Sequence, residues 1–248
     1  MFWDSGPNVD KLKAVYNVAG LAEADAAAKP DVKGKIVGAL KDIMEEQGTH
    51  SSSDWNTGAA RALIRIGHRQ IVLDYYDRFL EDKTGERNGV FFLDVQTILG
   101  ESAVQSRDLK LVMHLLLAGG FDFYEQLSNP ALREGLRLLE QAGSEEELID
   151  IYLGAYSNKV REEATQSLGR AGGQASLKVL KLVAEHGIAG TLDRLNRPED
   201  RKRFFALYRS YEEGKPKQDG ELLHLREESH RGAARNLLQE LTRRLGAA

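Results

Sequence analysis

Residues 109–130 read LKLVMHLLLAGGFDFYEQLSNP, and residues 177–198 read LKVLKLVAEHGIAGTLDRLNRP. Laid over each other at an offset of 68, they put Leu109 on Leu177, Gly119 on Gly187, Leu127 on Leu195 and Pro130 on Pro198. The register continues past the prolines, with Arg133 on Arg201, Leu136 on Phe204 and Leu139 on Leu207. Two repeats of about 34 residues give that offset, a length typical of repeats built from a pair of helices. Apolar spacing agrees: Val160, Ala164, Leu168 and Ala171 recur every three or four residues, then a short break, then Leu177, Leu180, Val183 and Ala184. Strand-like alternation is missing over any useful length, so the fold class reads as all-α.

Helix starts and stops are legible as well. Asn129 before Pro130 and Asn158 before KVREEA are candidate N-caps, and Ser144 with Glu147 has the spacing of a capping box. Gly67, Gly100, Gly143 and Gly172 each close an apolar-periodic segment, where a left-handed residue would end a helix. Leu63, Leu139 and Leu168 precede their glycines by four, and Ile71, Leu148 and Leu177 follow by four or five. A lone helix pair cannot bury both faces, so such units must stack. The expected architecture is an α-solenoid of stacked antiparallel helix pairs in a single elongated domain, with about six or seven pairs. Residues 1–54 would form N-terminal cap-like helices, 55–210 the helical repeats, and 211–248 a loop and a C-terminal capping helix. Loops are expected at 47–54, 81–89 and 212–220, which are rich in Gly, Ser, Pro or charge.

The segment VREEATQSLGRAGGQASLKVL at 160–180 is similar to the HEAT repeat pattern: a charged helix start, an Ala–Leu face, a small-residue turn and a second apolar helix. LAGGFDFYEQLSNPALREGLRLL at 117–139 resembles the armadillo version with its Gly-Gly break. The resemblance covers residues 55–210 and implies a non-enzymatic scaffold that binds a protein or peptide along its concave surface. On that reading the non-core positions of the second helices are the candidate contacts: Tyr75 and Arg78, Lys110 and His114, Lys178 and Leu182. Two alternatives lie within the same class. One is a nucleic-acid-binding protein resembling the HEAT-like DNA alkylation-repair glycosylases. The other is an accessory or lyase-like helper of another enzyme, as the bilin lyases are.

The nucleic-acid alternative has its own candidates. In RLNRPEDRKRFFALYRSYEEG, Arg194, Arg197, Arg201, Lys202, Arg203 and Arg209 are interleaved with Phe204, Phe205, Tyr208 and Tyr211. Basic charge beside stacking rings suits single-stranded nucleic acid. Phe204, Leu207, Tyr208 and Tyr211 also fall at three-and-four spacing, which makes them the core stripe of an amphipathic helix. The net charge of −4 divides into +3 from Gly190 onward and −7 before it, so the bulk of the chain repels a polyanion.

Other chemistry finds little support. With no cysteine there is no disulfide, thiolate zinc site or catalytic thiol. The amides of GRAGGQ at 169–174 are a phosphate-cradle candidate, but no Gly-Lys-Ser/Thr ending follows, and a turn within a helix pair is the plainer reading. Among the six histidines the His-Glu-x-x-His spacing is absent; His224 with Glu228 is a solvated pair, and His68 and His186 stand beside turn glycines. Asp74 is expected to pair with Arg78 four residues on. No metal or cofactor is expected. No apolar run is long enough to span a membrane, and MFWDSGPNVDKLK lacks the features of a signal peptide, so cytoplasm is the default expectation.

Overall fold

The computed structural model describes residues 30–45, 53–81, 89–118, 130–155, 157–210 and 219–246. Among them every regular element is a helix. In chain order these are α1 (Pro30–Glu45), α2 (Ser53–Arg65), α3 (Arg69–Glu81), α4 (Gly89–Ser106), α5 (Leu109–Ala118), α6 (Pro130–Gln141), α7 (Glu145–Gly154), α8 (Asn158–Ala171), α9 (Gln174–Arg194), α10 (Pro198–Ser210) and α11 (Asp219–Gly246). The expected all-α class is therefore observed. Residues 1–29, Asn129, Gly119 and Gly120, Tyr211 and the interiors of the three expected loops lie outside the described residues.

Two compact units divide the chain, Met1–Ser102 and Ala103–Ala248, with the boundary inside α4. In the first, α1 packs on α2 and α2 on α3. Leu40, Met44, Ala59, Leu63, Val72, Tyr76, Val95 and Leu99 are buried there. The buried Asn56 of α2 donates its Nδ2 to the Met44 carbonyl at 3.0 Å, satisfying an acceptor in the last turn of α1 that no helical amide can reach. Gln96 donates to the Tyr76 hydroxyl at 3.3 Å, and burial holds that phenol well above its ordinary pKa.

In the second unit, helices two apart in the chain lie side by side. α5 packs on α7, α7 on α9 and α9 on α11, while α6 packs on α8. The 68-residue register is visible as burial: Val112, Leu115 and Leu116 on α5, Leu148, Ile151 and Tyr152 on α7, and Leu180, Val183 and Ala184 on α9 are all buried. The same i, i+3, i+4 triplet thus recurs on three neighbouring helices. Its steps are unequal, 36 residues from Val112 to Leu148 and 32 from Leu148 to Leu180, where two of about 34 were expected. Pro130 and Pro198 each open a helix, at the position where a missing N–H costs nothing.

Four turns share one hydrogen-bond pattern. His68 N donates to Leu63 O, Asp108 N to Ala103 O, Ser144 N to Leu139 O and Arg197 N to Leu192 O, with an inner bond in each case. The residue before each donor is left-handed: Gly67 at φ 88°, Arg107 at 52°, Gly143 at 67° and Asn196 at 53°. This is the Schellman closure of a helix end. Gly67 and Gly143 are stops as expected.

Gly100 and Gly172 are not stops of that kind. Gly100 lies inside α4, which continues to Ser106 and ends at the left-handed Arg107. Gly172 follows α8 with an extended φ of −63° and ψ of 150°. Its glycine identity serves close approach, since a Cβ there would overlap the Leu168 carbonyl and come within 2.7 Å of the Ser176 hydroxyl.

Two caps also differ from expectation. The cap of α8 is Ser157, whose hydroxyl accepts from Val160 N at 3.4 Å, and Asn158 is already helical. Ser144 stands at the N-cap of α7 but makes no side-chain capping bond, so the Ser144–Glu147 box does not form. The carboxylates Glu145, Glu146 and Glu147 fill that first turn, where the helix dipole favours negative charge.

Candidate binding surface

Tyr75 and Arg78 lie on α3 of the first unit, with the Arg78 guanidinium 5.8 Å from the Tyr75 ring centroid. Arg78 pairs with Glu45 of α1 and donates to the Asp74 backbone carbonyl at 3.3 Å; the Asp74 carboxylate instead accepts from Gln70 at 2.7 Å. The expected Asp74–Arg78 side-chain pair is therefore replaced by a bridge between helices.

The other four candidates lie in the second unit, at matched positions. Lys110 and Lys178 stand two residues before Val112 and Leu180 of the buried triplets, and both are exposed. His114 and Leu182 stand two residues after the same pair, and both are half-buried. On α7, which packs between α5 and α9, the equivalent positions are Glu146, exposed, and Asp150, half-buried. Equivalent positions on three neighbouring helices thus read Lys, Glu, Lys. None of these three has an ion-pair partner among the described residues.

The basic segment is organised differently. Arg197 reaches Asp150 of α7 at 2.6 Å and Asp200 at 2.5 Å. Arg201 pairs with Asp193 at 2.7 Å while its guanidinium lies 4.7 Å from the Phe205 ring centroid, and Lys202 pairs with Glu199 at 2.7 Å. Arg194 is exposed, and the side chains of Arg203 and Arg209 lie outside the described residues. Phe204 is wholly buried, with the Arg161 guanidinium 4.7 Å from its ring centroid. Phe204 thus belongs to the core, as three-and-four spacing implies, while the side chains of Leu207, Tyr208 and Tyr211 lie outside the described residues.

The amides of GRAGGQ do bind an anion, one supplied by the chain. Glu145 of α7 accepts from Gly173 N at 2.6 Å and Ser176 N at 2.8 Å, at the start of α9. Burial pushes its carboxyl pKa up, but bonds from Ser176 and Gly173 and the charge of Arg244 outweigh that and hold it below its ordinary value. Arg244 of α11 meanwhile donates to the carbonyls of Gly169, Arg170 and Gly172 at the end of α8. The turn between α8 and α9 is thus closed at both ends by charged side chains from other helices.

Nothing in the local sequence marks Glu145 or Arg244 for these roles, because each serves a helix other than its own. The buried Arg161 likewise sits in an ordinary-looking run, NKVREEA. Among the described residues no group of three or more His, Asp or Glu is arranged to hold a metal, and no helix is long and apolar enough to cross a membrane. Set against known protein families, curated proteins and solved structures, the chain matches none of them.

Proposed function

We propose that this chain is a non-enzymatic interaction scaffold, an α-solenoid of the HEAT and armadillo kind, that holds an extended protein segment across α5, α7 and α9. The observation that supports this reading is the Lys110–Glu146–Lys178 set: three equivalent positions on three adjacent helices, all charged, all exposed and all without an ion-pair partner among the described residues. Packed helices stand about 8–10 Å apart, and an extended chain in the polyproline II conformation advances about 3.1 Å per residue and presents the same face every third residue. One step from helix to helix therefore matches about three residues of extended chain. The complementary ligand carries an acidic residue, a basic one three positions on, and an acidic one three further. The ion pairs of Arg197, Arg201 and Lys202 with neighbouring carboxylates weigh against the nucleic-acid alternative, since the phosphate-neutralising charge is already compensated.

A fluorescent peptide of the form Asp-x-x-Lys-x-x-Asp, titrated against the full chain and followed by anisotropy, tests this. Binding is expected to weaken by roughly tenfold or more in the double variant Lys110→Glu, Lys178→Glu, and the peptide Lys-x-x-Lys-x-x-Lys, complementary to the altered positions, is expected to recover it. The melting temperature should stay where it is, because all substituted side chains are exposed. Equal affinity of wild type and double variant for both peptides would defeat the proposal.

A further inference from the structure

The helix α9 is broken at Gly187, whose φ of 71° and ψ of −179° are open essentially to glycine alone. In an unbroken helix Ile188 N would donate to Ala184 O, and Ala189 N to Glu185 O. Instead Glu227 of α11 accepts from both amides, Ile188 N to Oε2 at 2.7 Å and Ala189 N to Oε1 at 2.9 Å. Eight residues further along α11, Arg235 donates to the Ala184 carbonyl at 3.4 Å. One helix thus supplies substitutes for both ends of the hydrogen bond that the break removes. A Cβ at residue 187 would overlap the Glu227 carboxylate, so the same space serves the break and the docked glutamate. Thr191 Oγ1 completes the arrangement by donating to the Gly187 carbonyl at 2.6 Å.

Within α9 itself, nothing forces this break. The run LVAEHGIAGTL contains no proline, and glycine in a helix interior costs only about 1 kcal/mol relative to alanine. A free α9 can regain two backbone bonds by closing, whereas a docked α11 satisfies three of the same four groups by charge-assisted bonds. We propose that the break in α9 and the seating of α11 form one two-state switch. With α11 seated the break is held open; with α11 withdrawn, α9 closes into a continuous helix. The segments of α9 before and after Gly187 carry Lys178 and Asp193, so withdrawal re-aims one relative to the other. This conclusion rests on the geometry around Gly187 and stands whatever the scaffold binds.

The absence of cysteine makes the test direct, because labels on Lys178→Cys and Arg194→Cys are the only thiols. Spin-label distances across α9 are to be compared in the otherwise wild-type chain and in Glu227→Ala. The variant is expected to gain a population at the separation of a continuous helix, about 24 Å between α-carbons sixteen residues apart. An unchanged distance distribution in Glu227→Ala would show that α9 writes its own break and would overturn the proposal. A second variant gives an independent readout. Gly187→Ala disfavours the left-handed break and sets a Cβ against the Glu227 carboxylate, so the same label pair should shift to the separation of a continuous helix. An unchanged distance distribution in a folded Gly187→Ala chain would overturn the proposal equally.

Discussion

Glu145 offers a substitution whose consequence can be worked through. Its carboxylate takes the amides of Gly173 and Ser176 at 2.6 and 2.8 Å, and replacing it by alanine leaves both donors at the start of α9 without that acceptor. A hydrogen bond to a charged group contributes about 1.5–3 kcal/mol net, so two would contribute about 3–6 kcal/mol if fully shielded. Glu145 is only half-buried, and water reaches the vacated amides, which reduces the figure to about 2 kcal/mol. With a urea dependence of about 1–3 kcal/mol per molar, Glu145→Ala should lower the unfolding midpoint of the second unit by about 1 M at pH 7. The pH dependence follows from the depressed carboxyl. A group whose folded pKa lies below its unfolded value contributes stability above the unfolded pKa, near 4.3, and loses it as pH falls through the folded one. The wild-type advantage over Glu145→Ala should therefore be full at pH 7 and fade below about pH 4. Helical circular dichroism in urea at both pH values measures this. An identical midpoint for the two proteins at pH 7, or an undiminished gap at pH 3, would refute the reasoning.

Ile151 is wholly buried in the middle one of the three equivalent triplets, and Ile151→Ala should cost about 2–5 kcal/mol by urea denaturation; a loss under about 1 kcal/mol would mean the triplet is not core. The turn glycines should separate by mechanism. Gly143, left-handed with open space around its Cβ position, should lose about 1–2 kcal/mol on substitution by Ala and less by Asn, which tolerates that conformation. Gly172, extended but crowded, should reject Asn and Ala alike, and equal tolerance of Asn at both positions would show the distinction to be wrong.

The all-helical class and the spacing of the buried triplets were readable because both are matters of periodicity. Apolar residues at 3.6-residue spacing point inward wherever the helix lies, and the offset that sets Leu109 on Leu177 also sets the buried Val112, Leu115 and Leu116 on Leu180, Val183 and Ala184. The intermediate copy on α7 was harder to find, because its steps of 36 and 32 residues cancel only in the sum. Helix ends were legible where glycine adopts φ above zero, as at Gly67 and Gly143. They were missed at Arg107, a residue type that seldom turns left-handed, and at Asn196, whose type tolerates that conformation but equally suits helix starts and turns. Gly100 misled for the opposite reason: a glycine in a helix interior has the same letter as one that ends a helix. As for the candidate surface, Lys110 and Lys178 were found by register, but Glu146 between them emerged only once α7 was seen lying between α5 and α9. The basic segment looked available on composition alone because two of its carboxylate partners, Asp150 and Asp193, come from outside its own helix, while Glu199 and Asp200 within it were readable as neighbours of Lys202 and Arg197. Pairing over such distances along the chain leaves no local trace.

The charged closures of the turn between α8 and α9 bear on how such a chain can change over generations. A repeat whose ends are capped from within can be duplicated, deleted or shuffled as a module, with each copy bringing its own caps. The pair formed by α8 and α9 cannot. Its carbonyls at Gly169, Arg170 and Gly172 depend on Arg244, seventy-two residues or more downstream, and its opening amides depend on Glu145 of the preceding pair. A second copy inserted elsewhere would arrive with those groups open. The second unit is therefore constrained to vary at its surface and not in its number of helices.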